Sequence, residues 1–130
     1  MAKKSNLGKE IAAGNQPMFM TPGEVINHYH LGDSNLVSRE PGPKGAEQKA
    51  EDEETLQYKL KDSQHKDSYA GQPYGNASSL YDSIKREGVH TPIFVGSSQY
   101  VPRPVVTNGH HRLAAARHLN PNQFVPVEYN

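Results

Sequence analysis

The Gly-His-His-Arg motif at residues 109–112 carries the side chains best suited to chemistry in this sequence. Valines precede it and an alanine- and leucine-rich stretch follows, a pattern typical of a strand that turns into a helix. The first amides of a helix lack intrahelical acceptors and carry partial positive charge, which favours an anion. Glycine lets the anion approach the backbone, and arginine adds paired donors. The motif therefore predicts a phosphate site at Asn108, Gly109, His110 and Arg112.

His110 and His111 are candidates for acid–base catalysis, because imidazole exchanges a proton near neutral pH. Adjacent helical residues point about 100° apart, so only one of the two is expected to face a ligand. Arg117 lies about 140° around the helix from Arg112 and is not expected to share its ligand. The alternative is an ordinary strand-to-helix turn with a solvated arginine.

Capping and periodicity predict three further helices. The first begins at Pro22, behind a capping box of Thr21 and Glu24, and ends near Gly32. The second covers residues 51–64, and its acidic first turn is expected to be solvated. The third is capped by Ser78 or Ser79 and ends at Gly88. Strands are expected at residues 93–95, 100–106 and 125–129, the second of them irregular because it contains two prolines.

These elements predict an α+β fold, with a small mixed sheet and the helix after Gly109 packed on it. Residues 33–50 are rich in proline and glycine and are expected to lack regular structure. We therefore divide the chain into an N-terminal arm with short helices (residues 1–65) and a domain (residues 66–130). Two tyrosines, Tyr69 and Tyr74, lie in a turn-rich segment at the start of that domain.

Composition limits the classes of function. Lysines and arginines number 14 and so do aspartates and glutamates, so no overall charge draws the chain to nucleic acid or to a membrane. Cysteine is absent, which excludes disulfides and thiol catalysis. His28 and His30 lack carboxylate or thiolate neighbours, so no metal site is expected there. No apolar run follows the basic N-terminus, and we expect an intracellular, cytoplasmic protein.

The order of the elements in the second half of the chain resembles the ParB/sulfiredoxin superfamily. That superfamily shares a helix ending in glycine, a "QPI" strand, a second strand, a helix with the motif G-x-x-R-x-x-A, and a closing "VPV" strand. Here Thr91-Pro92-Ile93 stands for the first motif, residues 109–115 for the second and residues 125–127 for the third. The resemblance covers residues 76–129 and implies a ParB/sulfiredoxin-like fold.

In the families resembled, the motif arginine and the helix-opening amides contact nucleotide phosphates. The resemblance therefore implies a domain that binds a nucleotide or nucleic acid, with a nucleoside triphosphate and magnesium as candidate cofactors, or a nuclease-like phosphodiesterase. The sulfiredoxin reaction needs a cysteine and is excluded. Free serine kinases carry a similar Asp-Gly-His-His-Arg, but Asn108 replaces that aspartate, which argues against kinase chemistry.

A second hypothesis comes from the same resemblance. Small ParB-like proteins with a "GHHR" motif are common in bacteriophage genomes. The alternative function is thus a non-catalytic adaptor or a phage assembly or virion protein, which keeps the fold and binds protein partners through residues 1–65.

Overall fold

The computed structural model describes residues 18–37, 44–65 and 79–130, which form an α+β fold. Its five strands are β1 (Met18–Met20), β2 (His30–Leu31), β3 (Ile93–Gly96), β4 (Val105–Asn108) and β5 (Val125–Tyr129). Its four helices are α1 (Pro22–His28), α2 (Ala46–Ser63), α3 (Leu80–Glu87) and α4 (His110–Leu119). The predicted fold class, a small mixed sheet with packed helices, is confirmed.

The strands form one sheet in the order β1-β5-β3-β4-β2. The pairs β1–β5 and β3–β4 are antiparallel, whereas β5–β3 and β4–β2 are parallel. Because β3 and β4 are antiparallel neighbours, the end of β4 lies beside the start of β3. The turn into α4 therefore lies at the end of the sheet where β3 begins.

The core lies between the sheet and the helices. It contains residues from both halves of the chain, among them Val25 of α1, Leu56 of α2 and Leu113 of α4, none of which is exposed to solvent. Alanines on α4 let neighbouring elements approach this helix closely, and Ala115 joins a smaller cluster with Leu80 and Ile84 of α3. The helix that carries the motif is thus packed on several sides.

The predicted capping box of α1 is confirmed, although the helix is shorter than expected. The Thr21 side chain accepts a hydrogen bond from the Glu24 amide at 3.2 Å, and Glu24 Oε1 accepts from the Thr21 amide at 2.9 Å. The helix ends at His28 because Tyr29 is already extended and leads into β2. Gly32, where we expected the end, follows β2 instead.

The prediction that residues 33–50 lack regular structure is wrong for residues 46–50. Gly45 is extended and α2 begins directly after it at Ala46, whereas the acidic residues suggested a start at Glu51. Gln48 and Asp52 are buried on the inner side of that helix, whereas Glu47, Glu53 and Glu54 are exposed, so the expected solvated acidic face is present beside a buried polar one. Because the inward-facing side chains of this part of the helix are polar, its sequence shows no apolar periodicity, and the prediction missed it.

Two strands were missed altogether, and both lie in the predicted N-terminal arm. β1 pairs with β5, and β2 pairs with β4, so residues on both sides of the predicted boundary at residue 65 belong to one sheet. With three and two residues, these strands are too short to show an alternating pattern. The described part of the arm is therefore part of the core.

The other predicted elements are close to their expected bounds. Ser79 caps α3, which Gly88 ends with φ +80°. The segment before β4, which contains both prolines, is irregular as expected, and the strand is confined to Val105–Asn108. The N-terminal segment 1–17, the centre of the Pro/Gly segment (38–43) and the tyrosine-containing loop (66–78) lie outside the described residues, and the predictions for them stay predictions.

Candidate functional site

The turn at Gly109 brings the arginine of the motif back onto the backbone that precedes it. Gly109 has φ +100° and ψ 17°, a left-handed conformation that side chains rarely adopt. A Cβ atom at this position would lie 2.9 Å from Arg112 Nη2 and 3.1 Å from Ile93 Cδ1. Glycine is therefore required twice here, once for the bend and once for the space that the guanidinium occupies.

Arg112 is buried without an anionic partner. The residue is 4% exposed, and its Nη2 donates a hydrogen bond to the Pro92 carbonyl at 2.7 Å. Among the described residues, its buried Nε has no hydrogen-bond partner and no carboxylate forms a salt bridge with the guanidinium. Burial lowers the pKa of the guanidinium, but arginine stays charged at neutral pH. The site thus contains a desolvated positive charge that the described residues do not balance.

His110 faces inward, toward the turn after β2. Its Nε2 accepts a hydrogen bond from the Asp33 amide at 3.2 Å, and its Nδ1 lies 3.3 Å from Asp33 Oδ2. Because Nε2 accepts, the proton of the neutral ring is on Nδ1. Burial lowers the pKa of His110 to about 4. Asp33 therefore occupies both ring nitrogens of a neutral histidine, which argues against a role for His110 in catalysis or in binding phosphate.

His111 points to the end of α2 instead. Its Nε2 donates to Asp62 Oδ2 at 2.6 Å, and its side chain is partly exposed. A carboxylate that accepts from one imidazole nitrogen fixes the tautomer and leaves the other nitrogen available as a base. As expected for adjacent helical residues, the two histidines of the motif have different surroundings. Of the two, His111 has the arrangement that suits proton transfer.

Asn108 is exposed at the end of β4, directly before the turn. Its amide can donate or accept, but it brings no charge. Nearby, Lys59 of α2 lies 2.7 Å from Asp33 Oδ2. Burial tends to raise the pKa of Asp33, yet the hydrogen bond from Lys59 holds it below its ordinary value. Lys59 is thus committed to Asp33, whereas Arg112 has no anionic partner in the part of the chain that the structure describes.

Arg117 belongs to a different contact. Its two Nη atoms bind the two carboxylate oxygens of Glu53 on α2 at 2.7 and 2.6 Å. This paired contact lowers the pKa of Glu53 to about 2. The predicted separation of Arg117 from Arg112 agrees with these contacts.

Asp33 and Asp62 were not identified from the sequence as part of the site. They lie 77 and 49 residues before the histidines that they contact. No local pattern reports such pairings. The one signal in the sequence was the pair of adjacent histidines itself, since buried or catalytic imidazoles need a partner for each ring nitrogen.

A cleft of about 310 Å³ lies beside Asp33, between the turn after β2 and α2. Its lining includes the carboxylates of Asp33, Glu51 and Glu54, with Lys59 as the one basic side chain. A phosphate would meet net negative charge there. The cleft is therefore a poor phosphate site.

Within residues 18–37, 44–65 and 79–130, no group of three histidine, cysteine, aspartate or glutamate side chains could hold a metal ion. In the same residues, no helix has the length and apolar character needed to cross a membrane. No family model matches the chain, and neither the curated proteins nor the solved structures contain a significant match.

Proposed function

We propose that the protein binds the phosphate of a nucleotide or nucleic acid at the start of α4. The observation that carries this proposal is the burial of Arg112 without a carboxylate partner in the described residues. An unpaired buried charge costs several kcal/mol, roughly 3–5 when one member of a pair is missing, and an anion would remove that cost. The attraction is also strong in a desolvated position.

Each group of the turn has a role in this proposal. The first amides of α4 and the guanidinium of Arg112, which contacts Gly109, act on one phosphate. Asn108 lies at the exposed side and can contact a sugar or a base edge. A magnesium ion would arrive with a nucleoside triphosphate and be held mainly by its phosphates, as this ion often is. The ParB-like resemblance of residues 76–129 points to the same ligand class.

If the site also cleaves phosphodiesters, proton transfer falls to His111, with Asp62 as the carboxylate that orients it. His110 would then support the site from inside through Asp33. His111→Gln should abolish cleavage and leave phosphate binding in place, whereas Arg112→Ala should weaken both.

The test is a thermal-shift and calorimetry panel of CTP, ATP, GTP, ADP and short DNA, with and without magnesium. Arg112→Ala should weaken binding about ten- to a hundredfold, the loss of one charge-assisted contact of roughly 1.5–3 kcal/mol. Arg112→Lys should recover part of the affinity, because an ammonium keeps the charge but not the paired geometry.

Lys85→Ala is the matched control, since it removes one positive charge from an exposed position on α3. It should bind as the parent does. Unliganded stability of each variant separates loss of binding from loss of folding, because Arg112 also holds the Pro92 carbonyl. A parent that binds no member of the panel, or an Arg112→Ala variant that binds like the parent, would refute the phosphate site.

A second candidate function, a non-catalytic assembly protein, is favoured by two exposed aromatic side chains. Phe19 is 61% and Phe124 is 66% exposed. Phe19 lies opposite Pro126, and Phe124 precedes Pro126 by two residues, so both rings lie on the same face of the β1–β5 pair. A second copy of the chain could bury this face. Sizing of the parent and of Phe19→Ser should then show a concentration-dependent oligomer that the variant loses; a parent that stays monomeric at high concentration would remove this candidate.

A further inference from the structure

The loop of residues 97–104, between β3 and β4, contains a second arginine with an unsatisfied nitrogen. Arg103 Nε is buried and has no hydrogen-bond partner within residues 18–37, 44–65 and 79–130. His30 of β2 is 3% exposed, and its Nδ1 is also buried without a partner. Folded proteins satisfy nearly all buried polar atoms, so two basic nitrogens that lack a partner among the described residues favour a bound ligand at this point.

The charges around these atoms do not balance. Lys44 is buried and lies 2.6 Å from Asp52 Oδ2, and it also donates to the Ile26 carbonyl. Asp52 is fully buried and is held by Lys44 and by Gln48 Nε2. The Lys44–Asp52 pair is therefore neutral by itself, and no described carboxylate forms a salt bridge with Arg103. The cluster of His30, Lys44, Asp52 and Arg103 therefore keeps one net positive charge, that of Arg103.

The positive charges act on the same histidine. Burial lowers the pKa of His30, and the charges of Arg103 and Lys44 lower it further. These three basic side chains come from β2, from the 97–104 loop and from the residue pair before α2. A water molecule could satisfy the hydrogen bonds at this point, but it would not balance the charge.

The 97–104 loop also has room for a small ligand. A cleft of about 250 Å³ is lined by Ser97, Ser98 and Arg103, together with prolines of the loop. The two serine hydroxyls are donors beside the guanidinium, and the Ser98 hydroxyl already accepts from the Tyr100 amide at 3.0 Å, which leaves its proton to donate. Hydroxyl and guanidinium donors suit the oxygens of a tetrahedral anion.

We propose that the 97–104 loop forms a second anion site, in which Arg103, Ser97 and Ser98 bind a single phosphate group with His30 beside it. The site is separate from the turn at Gly109. β3 and β4 run antiparallel, so the loop lies at one end of this pair and Gly109 at the other. The small cleft and the single unbalanced charge fit one phosphate group rather than a polyanion.

The test is a titration of the ¹⁵N-labelled full chain with inorganic phosphate at pH 7, with ionic strength held constant by chloride. We expect saturable changes in the amide signals of residues 97–101 and 103, since Pro102 has no amide proton. Arg103→Ala should weaken this binding at least about tenfold, while Arg112→Ala should leave it unchanged. Lys85→Ala again controls for the loss of one exposed charge.

Absence of saturable changes at residues 97–103 would overturn the proposal, and so would an Arg103→Ala variant with the parent's affinity. If Arg103→Ala fails to fold, which its spectrum shows directly, the Ser97→Ala/Ser98→Ala double variant serves in its place and should also weaken binding. Changes at residues 109–113 report on the turn at Gly109. Failure of one site is therefore distinguishable from failure of the other.

Discussion

At the scale of single residues, the surroundings of a side chain decide its chemistry more than its place in a motif does. His110 and His111 are neighbours in sequence, yet one is buried against Asp33 and the other is partly exposed against Asp62. A histidine held neutral inside the protein stabilises the fold only while it stays neutral. Its effect can therefore be measured through the pH dependence of stability.

We predict that the protein becomes less stable as the pH falls from 6.5 toward 4. The pKa of His110 is about 4 in the folded protein and near 6.5 in the unfolded chain, so the unfolded chain binds more protons in this window. The contribution of neutral His110 to the unfolding free energy is fully present above pH 6.5, and it should fall by on the order of 2 kcal/mol by pH 5. The lowered pKa of His30 acts in the same direction.

Denaturant unfolding at pH 7.5 and pH 5 measures this loss. His110→Gln should lower stability at both values but reduce the difference between them, because glutamine does not titrate. His28→Gln, on an exposed position of α1, is the control and should keep the parent's pH dependence. If His110→Gln and the parent lose the same unfolding free energy between pH 7.5 and pH 5, another group causes the effect.

At the scale of elements, α2 takes part in two ion pairs of very different energy, one with Lys44 just before it and one with Arg117 of α4. Asp52 and Glu53 are adjacent on α2, but Asp52 is fully buried with Lys44, whereas the Glu53 side chain is half-exposed and binds Arg117. Removing one member of a buried pair leaves a desolvated charge, whereas an exposed pair is screened by solvent.

We therefore predict that Asp52→Asn costs about 3–5 kcal/mol of unfolding free energy and Glu53→Gln about 1 kcal/mol or less. Both substitutions remove one negative charge at neighbouring positions, so they differ chiefly in burial. Urea unfolding at pH 7 measures both values. Similar losses for the two variants would contradict the idea that burial decides the energy of these pairs.

At the scale of the whole molecule, the N-terminal half completes the sheet and covers its core. Val106, Leu113 and Val127 are inaccessible to solvent in the folded chain, and Leu31 and Leu56 belong to the same cluster. A fragment of residues 66–130 would lose α1, α2, β1 and β2 and expose part of that cluster. It would also lose the partners of both motif histidines.

We predict that residues 66–130 alone do not fold cooperatively, whereas residues 18–130, which keep every described element, do. Amide spectra and thermal unfolding of the two fragments provide the comparison. A well-dispersed spectrum and a sharp transition for the shorter fragment would restore residues 66–130 as an independent domain.

The sequence by itself determined the elements that local chemistry specifies. The capping box at Thr21 and Glu24, the serine cap and glycine end of α3, and the glycine turn into α4 all depend on residues within one turn of each other. Short-range hydrogen bonds and backbone freedom set these features, so local patterns predict them. The class of fold followed from their order.

Only the tertiary structure decided which side chains meet. Asp33 reaches His110, Asp62 reaches His111, and β1 and β2 enter the sheet through pairings with strands far along the chain. The burial of Arg112 likewise depends on β3, which begins 19 residues before it. Such contacts form because packing brings distant residues together, and burial then sets their charge and pKa. Local sequence contains no signal of that distance, and for this reason it predicted the turn at Gly109 but not the groups that surround it.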